Sequence, residues 1–304
     1  MAASKPTFPN TLEGFGYEFK DEQLKNIRTG GKFEFVVREG DQVYNQQHYD
    51  ALGEVVLKEV HKLVKKECGL GRAAVPCDAK PSEPQTFVFV SDDLMTNDKK
   101  LMILIQGSGA VRAGQWSRKL TINDSLESGT QIPYIQRARR DGYAVLVMNI
   151  NDNMRMMEGR NIKIRGSENA EAHAIHVWEH YVRETRAKHI AIMAHSYGGS
   201  IAVRLFEKFR EEFEDRVFAM AFTSSTHKMS NPSQYTQLIK ISRHWMTSNE
   251  PLDKELSANV NGIKQVSSGT PMHEWTSAKS IDSIFAFFRE RYIARMEEVP
   301  TITD

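Results

Sequence analysis

Ser196 lies where the apolar stretch HIAIM, residues 189–193, changes into a helix-like pattern. Ala194 and Gly198 stand two places before and after it, which gives A-H-S-Y-G where nucleophilic serines usually have G-x-S-x-G. A nucleophile on a sharp strand-to-helix turn needs small residues at these positions because the turn crowds the backbone. The pattern predicts either a nucleophilic serine for acyl transfer or a serine that only caps the helix, a position that serine favours.

A second glycine-rich stretch, GSG at residues 107–109, follows the apolar run LMILIQ. Serine nucleophiles need backbone N–H groups to stabilise the oxyanion that forms during acyl transfer. One such group comes from a loop after an earlier strand and another from the residue after the nucleophile. We therefore predict an oxyanion site formed by Gly107, Ser108 and Tyr197. The glycines alone would fit an ordinary strand-to-loop turn equally well.

A nucleophilic serine also needs a base, and the base needs an acid that orients it. With the chain order serine, acid, histidine, His273 is the predicted base, since it lies in SSGTPMHEW just before the last helix. Asp253 is the predicted acid and Glu250 the alternative acid, both in SNEPLD. Asp253 fits a turn or a helix cap as well as it fits a catalytic role.

A metal site at His173, His176 and His180 is disfavoured although the three histidines share one helix face. The helix also carries large apolar residues and has no H-E-x-x-H pattern. Cys68 and Cys77 are the two cysteines of the chain and lack zinc-site spacing. We predict no metal and no cofactor.

The bulk composition excludes some classes of partner. The 304 residues include 40 basic and 39 acidic ones, a net charge of +1, so no global field favours nucleic acid or an anionic membrane. Direct nucleic-acid binding is not indicated, and the charged run at residues 137–140 fits a solvated helix face or a local contact with RNA or an acidic partner. The start MAASKPTFPN lacks the apolar core of a signal peptide, and no run is long enough to span a membrane. We expect a protein of the nucleus and the cytoplasm.

Apolar strands that alternate with helices predict an α/β fold. We expect an α/β-hydrolase-like, mostly parallel sheet with helices on both faces. Residues 1–80 are predicted to form an N-terminal extension, a hairpin that turns at Gly30-Gly31 followed by a helix. Residues 81–295 form the main domain and 296–304 a short tail. The polar stretch 150–169 is predicted to be a long surface loop.

Several longer stretches resemble a known family, the Argonaute-binding-type (Arb-two) domain of animal cotranscriptional regulators. The likeness runs from about Phe8 to Phe288. Its ILIQGSGAVRAGQW and AHSYGG stretches are more specific than a generic serine motif. The other matching stretches are FPNTLEGFGYEF, YDALGEVV, SGTQIPYI, SNEPLD and SSGTPMHEWTS.

This resemblance implies an α/β-hydrolase-like fold and a nuclear role in RNA-linked gene regulation. It implies Argonaute-type and chromatin-remodelling partners, effects on alternative splicing, and a presumed nucleophile at Ser196. Two positions depart from the family. Gln106 stands where a histidine precedes GSG, and Ser224 where an aspartate follows the strand RVFAMAF. Because Ser224 cannot act as an anion, two hypotheses remain: a regulatory adaptor with weak or no catalysis, and an active serine hydrolase for an ester or acyl substrate.

Overall fold

An eight-stranded sheet forms the centre of the molecule within residues 6–257 and 262–297, the residues that the computed structural model describes. Two short hairpins lie outside this sheet. The strands are β1 (Tyr17–Lys20), β2 (Gln23–Asn26), β3 (Gly71–Val75), β4 (Thr86–Val90), β5 (Lys100–Ile105), β6 (Tyr143–Val147), β7 (Met154–Met157), β8 (Arg160–Lys163), β9 (His189–His195), β10 (Val217–Thr223), β11 (Ser242–Met246) and β12 (Lys264–Ser267).

The strands of the central sheet lie in the order β12-β11-β10-β9-β5-β6-β4-β3. Those from β12 to β6 are parallel, whereas β4 is antiparallel to both β6 and β3. Counted from the β3 edge, the strands follow one another in chain order except that β6 lies before β5. α/β-Hydrolases have this arrangement, so the predicted fold class is confirmed. The parallel strands all end at one edge, where open α/β sheets bind ligands.

Helices cover both faces of the sheet, as a parallel sheet requires. The helices of the described residues are α1 (Gln42–Cys68), α2 (Arg118–Asn123), α3 (Leu126–Gly129), α4 (Ile132–Arg140), α5 (Ala170–Val177), α6 (Tyr197–Lys208), α7 (Arg210–Arg216), α8 (Thr236–Lys240) and α9 (Thr276–Glu297). Helices α1, α4 and α9 contribute to the apolar core on one face. Helices α5 to α8 contribute to the core on the other.

Local sequence signals explain where the longer helices begin and end. The Asp41 side chain accepts a hydrogen bond from the Tyr44 N–H at 2.9 Å and caps the start of α1. Gly69 ends that helix in the left-handed conformation, at φ 68°. Pro133 lies in the first turn of α4, where its missing N–H costs nothing. All three signals can be read from the sequence.

Two regions contain a turn or strands that the sequence did not predict. The β1–β2 hairpin turns at Asp21-Glu22, both at positive φ, a conformation that favours glycine. The chain also reverses at Gly30-Gly31 as predicted, because Lys25 and Lys32 form an isolated antiparallel bridge and the Asn26 N–H donates to the Gly31 carbonyl at 2.8 Å. The stretch 150–169, predicted to be a loop, contains the β7–β8 hairpin, whose side chains are mostly exposed. Its strands were hidden from periodicity analysis because neither face is buried in a core.

The predicted extension, residues 1–80, shares its packing with the main domain. Strand β3 pairs with β4 at the edge of the central sheet. Apolar residues of α1 lie in the same core cluster as residues of β5, β6 and β9. A domain division at residue 80 stays a prediction, and most of the predicted tail, residues 298–304, lies outside the described residues. No helix of the described residues is both long and apolar enough to cross a membrane.

Candidate active site

The turn between β9 and α6, residues 194–198, is called the elbow below. Ser196 adopts φ 53° and ψ −123°, a strained conformation for any residue other than glycine. Its N–H donates to the Thr223 carbonyl at 3.0 Å. The Ser196 side chain makes no capping hydrogen bond to α6. The side-chain geometry therefore does not support the helix-cap interpretation, and it leaves the hydroxyl on a sharp strand-to-helix turn.

Close backbone packing explains the glycines around the elbow. A Cβ on Gly198 would lie 2.6 Å from the carbonyl oxygens of both Ile105 and Gln106, so α6 approaches the end of β5 only with glycine there. A Cβ on Gly107 would lie 3.1 Å from the Ser196 Cβ. The glycine-rich loop and the nucleophile candidate are therefore direct neighbours.

The predicted oxyanion donors lie on the loop after β5 and on the first residue of α6. Asn151 anchors the loop, because its side-chain amide donates to the carbonyls of Gly107 and Val111 at 2.8 and 2.9 Å. Ser108 and Tyr197 are exposed. The Tyr197 N–H is at a helix start, where N–H groups have no partner within the helix. The structure brings Gly107 to Ser196, and an oxyanion role for these three residues remains a prediction.

Gln106, where the sequence departs from the resembled family, is fully buried at the end of β5. In the amide orientation that satisfies both neighbours, its Nε2 donates to the Met148 carbonyl at 2.7 Å and its Oε1 accepts from the Ile150 N–H at 3.2 Å. The side chain therefore connects the chain after β5 to the chain after β6. These bonds give Gln106 a structural part beneath the glycine-rich loop.

His273 lies on a single-turn segment, His273–Trp275, directly before α9. Its Nδ1 forms a hydrogen bond of 2.7 Å with the Ser224 hydroxyl. Its ring centroid lies 4.8 Å from that of His195, the residue before Ser196. The structure thus brings the predicted base to the elbow, and it places an uncharged hydroxyl at the nitrogen where a triad has its acid.

The two predicted acids lie in other surroundings. The Asp253 carboxylate accepts hydrogen bonds from the Trp245 indole N–H, at 3.0 Å, and from the Ser283 hydroxyl. Glu250 is exposed, and its backbone N–H donates to the Ser248 hydroxyl at 3.0 Å. Neither carboxylate is bonded to His273. Asp253 therefore connects β11 to α9. The residue bonded to His273 Nδ1, where a triad has its acid, is Ser224.

Glu274, the residue after the predicted base, forms an ion pair with Lys119 at 2.6 Å. The Lys119 hydrogen bond lowers the pKa of the Glu274 carboxyl. Glu274 is therefore a charged group near His273 that is already paired. Within residues 6–257 and 262–297, no carboxylate is hydrogen-bonded to His273.

Two buried histidines position the residues around His273, and sequence reasoning did not assign them a role. His195 Nδ1 is hydrogen-bonded to the Thr223 hydroxyl at 3.1 Å, and burial lowers the pKa of His195 to about 3. His244 Nε2 accepts from the Ser225 N–H at 2.8 Å, and burial lowers its pKa to about 3 as well. Both are neutral at physiological pH. For His195 the signal in the sequence is a polar residue at the end of a mostly apolar strand. His244 lies in the middle of the more polar strand SRHWM, which gives no such signal.

The three histidines of the predicted α5 helix do not share one environment. His173 is buried, its Nε2 accepts from the Asn149 N–H at 3.0 Å, and its Nδ1 is bonded to the Ser167 hydroxyl at 2.9 Å. Burial lowers the pKa of His173 to about 3. Both ring nitrogens are therefore occupied. His173 connects the chain after β6 to the loop before α5 and is not available as a metal ligand.

A cavity of about 250 Å³ lies on the α9 side of the site. Trp116, Tyr134 and Trp275 are among its lining residues. The Trp116 ring centroid lies 6.3 Å from that of His195, so this lining residue of the cavity is also a neighbour of the elbow.

The chain matches one family model and is similar to several known proteins. The model of the Arb2 domain matches residues 8–252. The chain is 37% identical over 350 residues to a Homo sapiens protein named cotranscriptional regulator ARB2A, across 97% of this chain and 84% of that protein. A Dictyostelium discoideum protein named as a homolog of that regulator is 32% identical over 316 residues, across 91% and 79%. Among solved structures, that of the histone deacetylase Clr3 aligns at a TM-score of 0.48 and 12% identity, across 87% of this chain and 47% of that one.

Proposed function

The chain belongs to the Arb2 domain family, and from this premise we propose that it is a nuclear cotranscriptional regulator that works as a protein adaptor, with weak or no catalysis. Relatives from Homo sapiens and Dictyostelium discoideum carry the name of cotranscriptional regulator. The expected partners are Argonaute-type and chromatin-remodelling proteins, and the expected output is a change in alternative splicing. A second pool of the protein is expected in the cytoplasm.

The hydrogen bond between Ser224 and His273 is the observation that carries this proposal. A hydroxyl can fix the orientation of the imidazole, but it has no negative charge to offset the imidazolium that forms when the base takes a proton. Loss of the charge at this position costs about ten-thousand-fold in the turnover of a serine hydrolase. The chain thus has the fold of a hydrolase but lacks the carboxylate beside the base on which fast turnover depends.

The β7–β8 hairpin supports the adaptor proposal by its exposed apolar side chains. Met154, Met156 and Ile162 are 53%, 66% and 41% exposed. Methionine is a flexible, polarisable side chain that is frequent at protein-binding surfaces. We therefore place partner contacts on this hairpin.

Affinity capture from nuclear extract, followed by mass spectrometry, tests the adaptor proposal. The tagged wild type is compared with the double variant Met154→Glu/Met156→Glu and with Val43→Glu, a control at another apolar side chain that is 69% exposed. We expect Argonaute and chromatin proteins with the wild type and with Val43→Glu, and their loss with the double variant. Recovery of no such protein by folded wild type would contradict the proposal.

The elbow geometry favours a second function, an active serine hydrolase. Ser196 Oγ would attack the acyl carbonyl while His273 Nε2 takes its proton, which requires Nδ1–H to donate to Ser224. The N–H groups of Gly107, Ser108 and Tyr197 would stabilise the oxyanion. The His273 proton would then pass to the leaving alcohol, and water would release the acid from Ser196 by the same steps.

A fluorophosphonate probe separates the two functions, because it labels activated serines covalently. Labelling of the wild type that disappears in Ser196→Ala and persists in the nearby control Ser200→Ala would support the hydrolase. Folded wild type that remains unlabelled would support the adaptor. Circular dichroism of each variant checks that it is folded.

A further inference from the structure

Cys77, His176 and His180 converge at the opposite side of the sheet from the β12 edge. Each offers one ligand atom, and the three atoms lie within 4.8 Å of one another. Cys77 follows β3, whereas the histidines lie 99 residues and more along the chain, on α5 and on the wide helical turn after it, Trp178–Val182. The fold therefore assembles a thiol and two imidazoles that the sequence keeps apart.

The backbone around His176 fixes its ring beside Cys77. The Cys77 N–H donates to His176 Nε2 at 3.1 Å, so the lone pair of this nitrogen faces the cysteine segment. On the other side, a Cβ on Gly166 would lie 2.6 Å from His176 Nδ1. The Tyr181 hydroxyl also donates to the Ala74 carbonyl and connects the same helical segment to β3. The ring is thus positioned by contacts that do not involve a ligand.

His176 and His180 are four residues apart and therefore share a helix face. Their ring centroids lie 4.3 Å from each other. The two imidazoles can therefore face one ion from the same side of the helical segment.

We propose that Cys77, His176 and His180 bind one Zn²⁺ ion, with water as the fourth ligand. One thiolate and two imidazoles are ligands that zinc prefers in tetrahedral sites. Ligand atoms around such an ion lie roughly 3.3–3.6 Å apart. Cys77 and His180 are exposed, so their side chains are free to close the gap from 4.8 Å. The ion would replace the Cys77 N–H as the partner of His176 Nε2.

The site would connect the segment after β3 to the helix after the β7–β8 hairpin. It is distinct from the elbow, because β3 lies four strands from β9 in the sheet, roughly 19 Å at the usual strand spacing. A bound ion would therefore stabilise the edge of the sheet without touching Ser196.

Titration of the metal-free protein with Co²⁺ and Zn²⁺ under reducing conditions tests the site. Co²⁺ reports directly, since a cysteine ligand gives a thiolate-to-cobalt charge-transfer band. We expect this band at one equivalent, its displacement by Zn²⁺, and a rise in Tm with Zn²⁺ concentration. Cys77→Ser is expected to abolish the band, and His180→Gln to weaken Zn²⁺ binding by at least about ten-fold.

Cys68→Ser is the matched control, because Cys68 is the other cysteine of the chain and lies outside the cluster. It is expected to keep the band and the affinity of the wild type. Wild type that gives no band at one equivalent would overturn the proposal. The proposal would also be overturned if Cys77→Ser and His180→Gln bound Zn²⁺ as tightly as the wild type does. Circular dichroism checks that each variant is folded.

Discussion

The candidate active site has two sides that are built by different means. The elbow side, with Ser196, Gly107 and Gly198, depends on close backbone contacts that a single added Cβ would break. The base side, with Ser224 and His273, depends on a hydrogen bond between two side chains that are at least partly exposed. A change on the base side alters the chemistry with little cost in packing. The shape of a hydrolase and its catalytic charge therefore depend on different residues, which can change independently.

Ser224→Asp is expected to produce the largest effect. It supplies the missing anion at His273 Nδ1, and Ser224 has φ 43°, a conformation that aspartate tolerates. We expect fluorophosphonate labelling and ester hydrolysis to rise by up to about ten-thousand-fold. Labelling rates and turnover of a p-nitrophenyl ester measure this.

Ser224→Asn is the control for that change, since it matches aspartate in size and lacks its charge. It should leave both rates near those of the wild type. A folded Ser224→Asp protein with no gain would show that the elbow side, and not the missing charge, limits the chemistry.

Gly198→Ala tests the elbow side, where we expect a loss of stability. Because its Cβ would lie 2.6 Å from two backbone oxygens, we expect a loss of about 3 kcal/mol in the free energy of unfolding. Urea denaturation measures it. Gly71→Ala is the control, since its nearest neighbour would be 4.0 Å away, and it should cost less than about 1 kcal/mol. Equal losses in the two variants would contradict the close packing of the elbow.

Acid should destabilise the fold through His195, the elbow residue whose ring is bonded to the Thr223 hydroxyl beside the base side. The pKa of His195 is lowered by burial from 6.5 to about 3, so the unfolded chain binds the proton more readily than the folded one. The stability from this group is present above pH 6.5 and is lost as the pH falls from 6.5 towards 3. Between pH 7 and pH 5, the wild type should lose about 1–2 kcal/mol more than His195→Asn. Urea denaturation at the two pH values checks this, and parallel losses would refute it.

Asp253→Asn is expected to have the smallest effect. The amide still accepts from Trp245 and Ser283, so the free energy of unfolding should change by less than about 1 kcal/mol. Labelling of Ser196 in the Ser224→Asp background should not change either. A large loss of labelling would instead support Asp253 as the orienting acid, as its position in the sequence predicted.

Sequence patterns were sufficient for the parts of the fold that are buried and periodic. Strands such as β6 and β9 are almost entirely buried, so their apolar runs identify them, and Gly69 and Pro133 indicate helix boundaries. The β7–β8 hairpin has no buried face and therefore gave no periodic signal. The periodicity of apolar residues predicts secondary structure only where one face of the element is buried.

The site was predictable to a different degree on its two sides. The elbow is a local motif, so short stretches and their order predicted that Ser196 lies on a strand-to-helix turn near Gly107, while the oxyanion role of Tyr197 stays a prediction. The hydrogen-bond partner of His273 depends on how loops that are distant in the chain come together, and chain order alone indicated Asp253, with Glu250 as the alternative. The pairing of Cys77 with His176 was equally hidden, because no spacing rule relates residues so far apart in the chain.

The position of β3 at the sheet edge has a consequence for any fragment that begins near residue 81. Without β3, the row of N–H and C=O groups on β4 that it now pairs would be open to solvent. The face beneath α1 would lose its apolar cover at the same time. Such a fragment would combine an unpaired strand edge with exposed core residues, the combination from which edge-to-edge aggregation starts. The first 80 residues therefore also protect the sheet against self-association.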